Sequence, residues 1–287
     1  MTPPPSSQDL LRTAHQHCES LARDHDRDRW LSALFAPEAA RAHLNALTAF
    51  NYEVGRLREI IREPLAGELR LTWWREALQG SRESAGHPVA EALLDTIRKF
   101  SLPAILFENH LEARQFDLYD DPMPSLGDLE GYCGETSSSL FQLAALILGE
   151  GRDVGAADAS GHAGVAYAIA GLLRALPLTS ARGQVYLPRD LLERHGVSPE
   201  DVRARRGGAG LAAALRELCG VARVHLAEAD ARIAKLPKAI APAYSPLAVV
   251  PGYLSKLERV VAAPFDAIVE VPQWRRQLSL WRWASKY

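Results

Sequence analysis

The chain has 287 residues, of which 47% are hydrophobic and 24% charged, and its formal net charge is -2. This supplies enough apolar side chains for a sizeable core, and the near-neutral balance argues against a general nucleic-acid binder. The three cysteines, Cys18, Cys133 and Cys219, are far apart and odd in number, which favours a reduced, cytoplasmic protein.

The first seven residues are polar and rich in proline and serine, and they lack the apolar core of a signal peptide. We predict a short disordered tail over residues 1–7 and, because no linker interrupts the rest, a single domain over residues 8–287. No run of the sequence approaches the roughly 20 apolar residues that cross a bilayer. Any membrane contact is therefore expected to be peripheral.

Potential metal ligands follow this tail at His15, His17, Cys18 and His25. On a helix His15 and Cys18 lie one turn apart, whereas His17 points elsewhere. No second cluster has the spacing of a zinc site. The sequence therefore predicts no metal site.

Apolar residues recur at helical spacing along most of the chain. The two clearest stripes are Ala46, Phe50, Val54, Leu57 and Ile61, and then Leu211, Leu215, Leu218, Ala222, Leu226, Ala229, Ile233 and Leu236. Ser125 is a predicted N-cap of a helix that Gly149 would end. Residues 184–187 are the best candidate for a strand, and it is short. The pattern predicts an all-α protein of about ten helices.

Four charged residues, Arg56, Arg58, Glu59 and Arg62, follow the first stripe and are expected on the same helix. The arginines could bind an anionic headgroup or the acidic residues of a partner. The alternative is a solvated helix face with a Glu59–Arg62 pair.

Residues 203–210 form a basic, glycine-rich turn before a helix. Such a turn can offer backbone N–H groups to an anion, but the pattern matches no phosphate-binding loop. A flexible connector is the favoured interpretation.

The C-terminal segment, residues 273–287, has four basic residues and no acidic one. On a helix Trp274, Leu278 and Trp281 share one face. The candidate membrane or partner contacts are Trp274, Arg275, Arg276, Leu278, Trp281 and Arg282. Such a helix suits a membrane interface or a partner groove, and the alternative is that its apolar face closes the helical bundle.

Several motifs in a fixed order resemble the squalene/phytoene synthase family from about Cys18 to the C-terminus. They are a Trp-Trp-Arg sequence at residues 73–75, a Tyr-Cys pair at 132–133, an apolar helix that contains Leu-Leu-Arg at 172–174, and a Gly-Gln-Val-Tyr-Leu-Pro turn at 183–188. The resemblance implies an isoprenoid-synthase-like helical bundle with a central cavity. The candidates for cavity or ligand-binding residues are Arg56, Glu59, Arg75, Asp117, Tyr132, Glu135, Arg174 and Tyr186.

The synthases of this family hold Mg²⁺ with two aspartate-rich motifs, because Mg²⁺ prefers oxygen ligands and bridges them to the substrate diphosphate. In this chain the first motif falls on Gly55, Arg56 and Glu59, and the second on Ala175 and Thr179. Only Glu59 keeps a carboxylate. No catalytic residue and no metal site are therefore expected.

Two further features concern the second motif. Pro177 lies between its two vacant positions and is expected to kink the helix. Arg174 is a cation in an apolar helix and needs a partner, which Asp117 or Glu135 could supply.

Other segments resemble the non-synthase branch of the family, which includes an assembly factor of respiratory complex I; they are residues 113–122, 129–140, 225–237 and 251–254. The resemblance implies a non-catalytic protein that aids assembly of a respiratory membrane complex. Its partners would be a subunit or assembly partner of that complex and an isoprenoid or anionic lipid. Its location would be cytoplasmic and peripheral on the inner membrane. The alternatives are a prenyltransferase that joins isoprenyl diphosphates, which would need Mg²⁺ as a cofactor, and an isoprenoid or lipid carrier.

Overall fold

The computed structural model describes residues 6–80 and 86–287, and this part of the chain is all-α, with no strand among the described residues. The all-α prediction is confirmed. The described residues divide into two compact units. Unit 1 contains those up to Leu118 together with Leu143–Val154 and Pro237–Ala243, and unit 2 contains Tyr119–Gln142, Gly155–Leu236 and Tyr244–Tyr287. The single domain over 8–287 stays a prediction, and most of the predicted tail over 1–7 lies outside the described residues.

The helices of unit 1 come first along the chain. They are α1 (Ser7–His25), α2 (Arg27–Ala33), α3 (Glu38–Gly55), α4 (Leu57–Ile60), α5 (Pro64–Leu78), α6 (Pro88–Phe100) and α7 (Ala104–Ala113), followed by a 3-10 helix (Arg114–Leu118). The side chain of Ser6 caps α1 by accepting a hydrogen bond from the Asp9 N–H, 3.2 Å away. Helix α1 packs against α3 and α6.

The chain continues with α8 (Leu126–Cys133), a π-helical segment (Gly134–Ser138), α9 (Ser139–Leu148), α10 (Ala157–Ala181), α11 (Arg189–Arg194), α12 (Pro199–Arg203), α13 (Ala209–Ile233), a 3-10 helix (Lys238–Val249), α14 (Val250–Val260) and α15 (Gln273–Lys286). Helix α10 packs against α13, α14 and the π-helical segment, and forms the core of unit 2. It has the length and composition of a membrane span, and half of that stretch is buried within the protein.

Close packing of α10 on the π-helical segment explains one glycine. A β-carbon on Gly164 would stand 2.2 Å from the backbone nitrogen of Ser138, so any larger residue would push the two elements apart. The Ser138 hydroxyl donates a hydrogen bond to the Gly161 carbonyl, 2.8 Å away. Ser138 therefore contributes to the packing of the π-helical segment on α10.

Two details of the sequence-based prediction are confirmed and one is wrong. Ser125 caps α8 through the Asp128 N–H at 3.1 Å, and the helical path ends at Leu148, before Gly149. Residues 184–187, the strand candidate, instead form an irregular segment in which the Val185 carbonyl accepts one hydrogen bond from the Met123 N–H. A single such bond does not continue into a ladder.

Candidate functional site

Arg56 occupies the second position of the first family motif, and its contacts are local. Its guanidinium donates a hydrogen bond to the Tyr52 hydroxyl at 2.9 Å, and Glu53 lies 4.0 Å away. The bond to Tyr52 raises the pKa of Arg56. The Tyr52 ring also stacks on His25, with the ring centroids 4.1 Å apart. The Arg56 guanidinium therefore already has partners on α3.

The prediction that Arg56, Arg58, Glu59 and Arg62 share one helix is wrong. Arg56 has φ -88° and ψ 0°, which ends α3, and Ile61 is extended after the single turn of α4. Pro64 follows closely and disfavours helical conformation in the residue before it. Arg58 donates to the Arg62 carbonyl at 2.9 Å, and Glu59 is exposed.

Arg114 fills the space beside the first vacant position of the family motif. A β-carbon built on Gly55 would lie 3.6 Å from the Arg114 guanidinium. The same guanidinium donates to Asp117 at 2.9 Å and to Asn51 at 3.0 Å. Asp117, a predicted site residue, is buried and belongs to this ion pair. At the position that the family resemblance aligns with a synthase aspartate, unit 1 places the Arg114 guanidinium, which is paired with Asp117.

These residues do not fit Mg²⁺. The ion needs several oxygen ligands, and it is repelled by a neighbouring guanidinium. Gly55 offers none, Arg56 and Arg114 are cations, and the Asp117 carboxylate is paired with Arg114. Glu59 alone is an acid at a position of the first motif, and it lies on the exposed turn of α4.

The second family motif, in α10, has no acid at either of its positions, Ala175 and Thr179. Thr179 turns its hydroxyl back to the Ala175 carbonyl at 3.3 Å and to the Leu176 carbonyl at 3.4 Å. Pro177 lies inside α10, and the helix continues as far as Ala181. The vacant positions are therefore part of α10 in unit 2, and the kink expected at Pro177 stays a prediction.

The prediction that Arg174 pairs with Asp117 or Glu135 is wrong. Arg174 donates to the Glu270 carboxylate at 3.1 Å and to the Val269 carbonyl at 3.0 Å. Its guanidinium also lies 3.7 Å from the centre of the Tyr253 ring. Arg174 therefore fastens α10 to the segment before α15, and it lines an apolar cavity of only about 10 Å³.

Of the remaining candidates, Tyr132 and Tyr186 lie side by side in unit 2, with ring centroids 5.8 Å apart. Gln184 donates to the Tyr186 hydroxyl at 3.2 Å. Glu135 is half-buried in the π-helical segment. Arg75 is half-buried on α5 in unit 1. Their role in ligand binding stays a prediction.

The arginines of the 203–210 turn make contacts within unit 2. Arg203 donates to the Gly183 and Asp120 carbonyls, Arg205 to the Phe265 carbonyl, and Arg206 to the Asp201 carboxylate. These bonds fix the turn within unit 2, which differs from the flexible connector that the sequence favoured.

Helix α15 exposes the aromatic face that the sequence singled out. Trp274 and Trp281 are each 60% exposed, and Leu278 is 36% exposed. Leu280, on the same helix, is fully buried. Arg275 and Arg282 are exposed beside the tryptophans, whereas Arg276 is half-buried. The apolar face therefore does not close the bundle within unit 2.

A cluster of His15, His43 and Asp95 was not predicted from the sequence. His15 Nε2 lies 3.0 Å from Asp95 Oδ2, and His43 Nδ1 lies 3.9 Å from the same oxygen. The three residues come from α1, α3 and α6, and their ligand atoms all lie within 4.8 Å of one another. Burial is the main cause that lowers the pKa of His43 to about 4, so this imidazole is neutral near pH 7. Because the three residues are far apart in sequence, no local spacing could have revealed them.

Relatives of the chain carry two kinds of name. It is 30% identical over 96% of its length to "NADH dehydrogenase (ubiquinone) complex I, assembly factor 6" of Rattus norvegicus, of which it covers 83%. It is 31% identical over 70% of its length to a phytoene synthase of Thermus thermophilus, of which it covers 68%.

Among solved structures the chain resembles squalene synthase HpnC of Alicyclobacillus acidocaldarius, with a TM-score of 0.67 and 26% identity over 88% of this chain and 93% of that one. The predicted isoprenoid-synthase-like fold is thereby confirmed. The squalene/phytoene synthase family profile matches residues 22–282. The chain belongs to the squalene/phytoene synthase family.

Proposed function

We propose that this protein aids the assembly of a respiratory membrane complex of the NADH dehydrogenase type and does not join isoprenyl diphosphates. The observation that carries the proposal is the Arg114 guanidinium beside Gly55, at a position where a synthase needs a metal-binding acid. Ionisation of an isoprenyl diphosphate needs metal ions that stabilise the leaving charge. A protein with cations at the metal-binding positions can keep the fold of the family but cannot ionise an isoprenyl diphosphate in this way.

The name of the rat relative supports the same function. That relative matches the chain over nearly its whole length, and its name describes an assembly factor. Assembly of a membrane complex also requires access to a membrane or to a membrane-bound partner. Helix α15 offers such a surface.

We place the membrane contact on α15, with an anionic lipid surface as its partner. Trp274, Leu278 and Trp281 supply the exposed apolar face, and the basic residues of α15 lie among them without an acidic neighbour in the segment. Tryptophan anchors at the headgroup level, and each basic residue near an anionic surface contributes about 1 kcal/mol. The protein would then work as a peripheral protein on the cytoplasmic side of the inner membrane.

Vesicle binding tests the membrane contact. The double variant Trp274→Ser/Trp281→Ser should keep its fold, because both side chains are exposed, and should lose most of its binding to anionic vesicles. A matched control is Leu65→Ser/Leu69→Ser, which removes two exposed leucines from α5 (68% and 65% exposed). Equal binding by the wild type and the tryptophan variant would place the membrane contact elsewhere.

Affinity capture from detergent-solubilised native membranes tests the assembly function. The expected result is enrichment of subunits or assembly intermediates of an NADH dehydrogenase complex. Capture of isoprenoid-synthesis enzymes without any such subunit would contradict the proposal. Lipid analysis of the same sample tests the third alternative, since a carrier would retain an isoprenoid or lipid in stoichiometric amount.

The phytoene synthase relative is the observation that favours prenyl transfer as a second candidate. In that case a metal would have to be held by Glu59 and by ligands outside the family motifs. Product formation from farnesyl or geranylgeranyl diphosphate that depends on Mg²⁺ would establish it.

A further inference from the structure

An open cavity of about 670 Å³ lies in unit 1, and the His15–His43–Asp95 cluster forms part of its wall. Both histidine side chains are largely buried, at 14% and 7% exposure, whereas Asp95 is 26% exposed. The imidazoles are thus held by packing, while the carboxylate side opens to the cavity. None of these residues belongs to the family motifs discussed above.

We propose that His15 Nε2, His43 Nδ1 and Asp95 Oδ2 form a binding site for a divalent transition-metal ion of the zinc class. This inference is independent of the proposed assembly function. Two imidazoles and one carboxylate are a ligand set that zinc takes in open sites, where a water molecule completes the tetrahedron. The cavity supplies room for that fourth ligand.

The distances agree with such a site after small movements. Zinc bonds of about 2.0–2.1 Å place tetrahedral ligand atoms roughly 3.3–3.4 Å apart. The two measured separations to Asp95 Oδ2, 3.0 Å from His15 and 3.9 Å from His43, lie on either side of that value. The ligand atoms of the three residues all lie within 4.8 Å of one another, so small side-chain rotations are enough to bring them to zinc-binding distances.

The surroundings of His15 already suit a ligand. Its other ring nitrogen, Nδ1, lies 3.3 Å from the Ala42 carbonyl oxygen. Metal-binding histidines usually donate the second ring N–H to a carbonyl or carboxylate, which fixes the tautomer and aims the free nitrogen at the ion. Here that arrangement directs Nε2 toward Asp95.

His43 has a competing arrangement that the metal must displace. The Thr96 hydroxyl donates to the Ala92 carbonyl at 2.8 Å, so it accepts the hydrogen bond that it makes with His43 Nδ1 at 2.9 Å. His43 Nε2 then accepts from the Lys99 ammonium at 3.0 Å. A metal at Nδ1 requires the opposite tautomer and the departure of Lys99, which is exposed and can move. Lys99 therefore opposes metal binding.

The test uses the full chain without a histidine tag, stripped of metal and titrated with Zn²⁺ against a chromogenic zinc indicator. The expected result is one tight site per chain, and Co²⁺ in its place should give the visible absorption of a tetrahedral ion. His15→Gln and Asp95→Asn should each weaken Zn²⁺ binding at least tenfold. The matched control is His17→Gln, an exposed histidine on the same helix, which should bind as the wild type does.

A second variant is expected to bind Zn²⁺ more tightly, a result that loss of the fold could not produce. Lys99→Met removes an exposed cation that contacts His43 Nε2, the ring nitrogen that the metal does not use, and it should strengthen Zn²⁺ binding by several-fold. Absence of a stoichiometric site in both the wild type and Lys99→Met would overturn the proposal. So would a site that His15→Gln and Asp95→Asn leave unchanged, because the metal would then be held elsewhere.

Discussion

Arg114 and Gly55 are placed so that the Arg114 guanidinium lies 3.6 Å from the position of a β-carbon on Gly55. The guanidinium is also bonded to Asp117 and Asn51, so the cation is fixed and not a chance neighbour. This contact explains why restoring one acid would not restore a magnesium site. An aspartate at residue 55 would form an ion pair with Arg114 instead of binding a metal ion.

Substitution at Gly55 tests that relationship. Gly55→Asp should be more stable than the near-isosteric Gly55→Asn by about 0.5–1.5 kcal/mol, because a charged hydrogen bond to Arg114 is stronger than a neutral one. Urea unfolding of both variants measures the difference. Millimolar Mg²⁺ should leave the midpoint of Gly55→Asp unchanged. A rise in that midpoint with Mg²⁺, absent from Gly55→Asn, would show that a metal site can still form.

Catalysis of prenyl transfer is predicted to be absent. Neither farnesyl nor geranylgeranyl diphosphate should be turned over with Mg²⁺ or Mn²⁺, because the electrostatic stabilisation of the leaving diphosphate is missing. Product analysis by mass spectrometry checks this. A head-to-head product that disappears in Glu59→Gln would show that the remaining acid of the first motif does bind a catalytic metal.

Thiol labelling should be slow in the folded protein. The three cysteines are free and buried, and burial raises the pKa of Cys18 to about 12 and that of Cys219 to about 11. Since the thiolate is the reactive form, the native chain should react far more slowly near neutral pH than the chain in denaturant. In denaturant, three thiols per chain should be labelled. A rapid burst from the native protein would contradict the burial of these side chains.

Substitutions on α15 should affect stability at its buried positions and leave it nearly unchanged at its exposed ones. Leu280→Ala should lower the free energy of unfolding by about 2–5 kcal/mol, as for other buried leucines. Trp281→Ala, at a 60% exposed position, should change it by no more than about 0.5 kcal/mol. Similar losses for both would mean that the aromatic face is covered in the folded protein.

The sequence was informative where the signal is local. Helical stripes predicted α13, which runs over Ala209–Ile233, and the Ser125 cap was correct because one side chain and one nearby N–H define it. The break between α3 and α4 was missed because Arg56 is no helix breaker by itself and its conformation depends on packing.

The candidate site depended on distant contacts that no local pattern encodes. Arg174 and Glu270 are 96 residues apart in sequence, and His15 and Asp95 are 80 apart. The vacant metal positions could be read from the sequence through the family resemblance. The cation that fills one of them, Arg114, could not, because it comes from another element and is positioned by tertiary packing.

The proposed function is tested most directly by complementation of a strain that lacks this protein. We predict that the deletion strain loses assembled NADH dehydrogenase from its membranes, measured by native gel electrophoresis and by NADH:quinone oxidoreductase activity. The wild-type chain and Glu59→Gln should restore both equally, since assembly needs no metal-binding acid. Normal assembly in the deletion strain, or restoration by the wild type that fails with a folded Glu59→Gln, would contradict a non-catalytic assembly function.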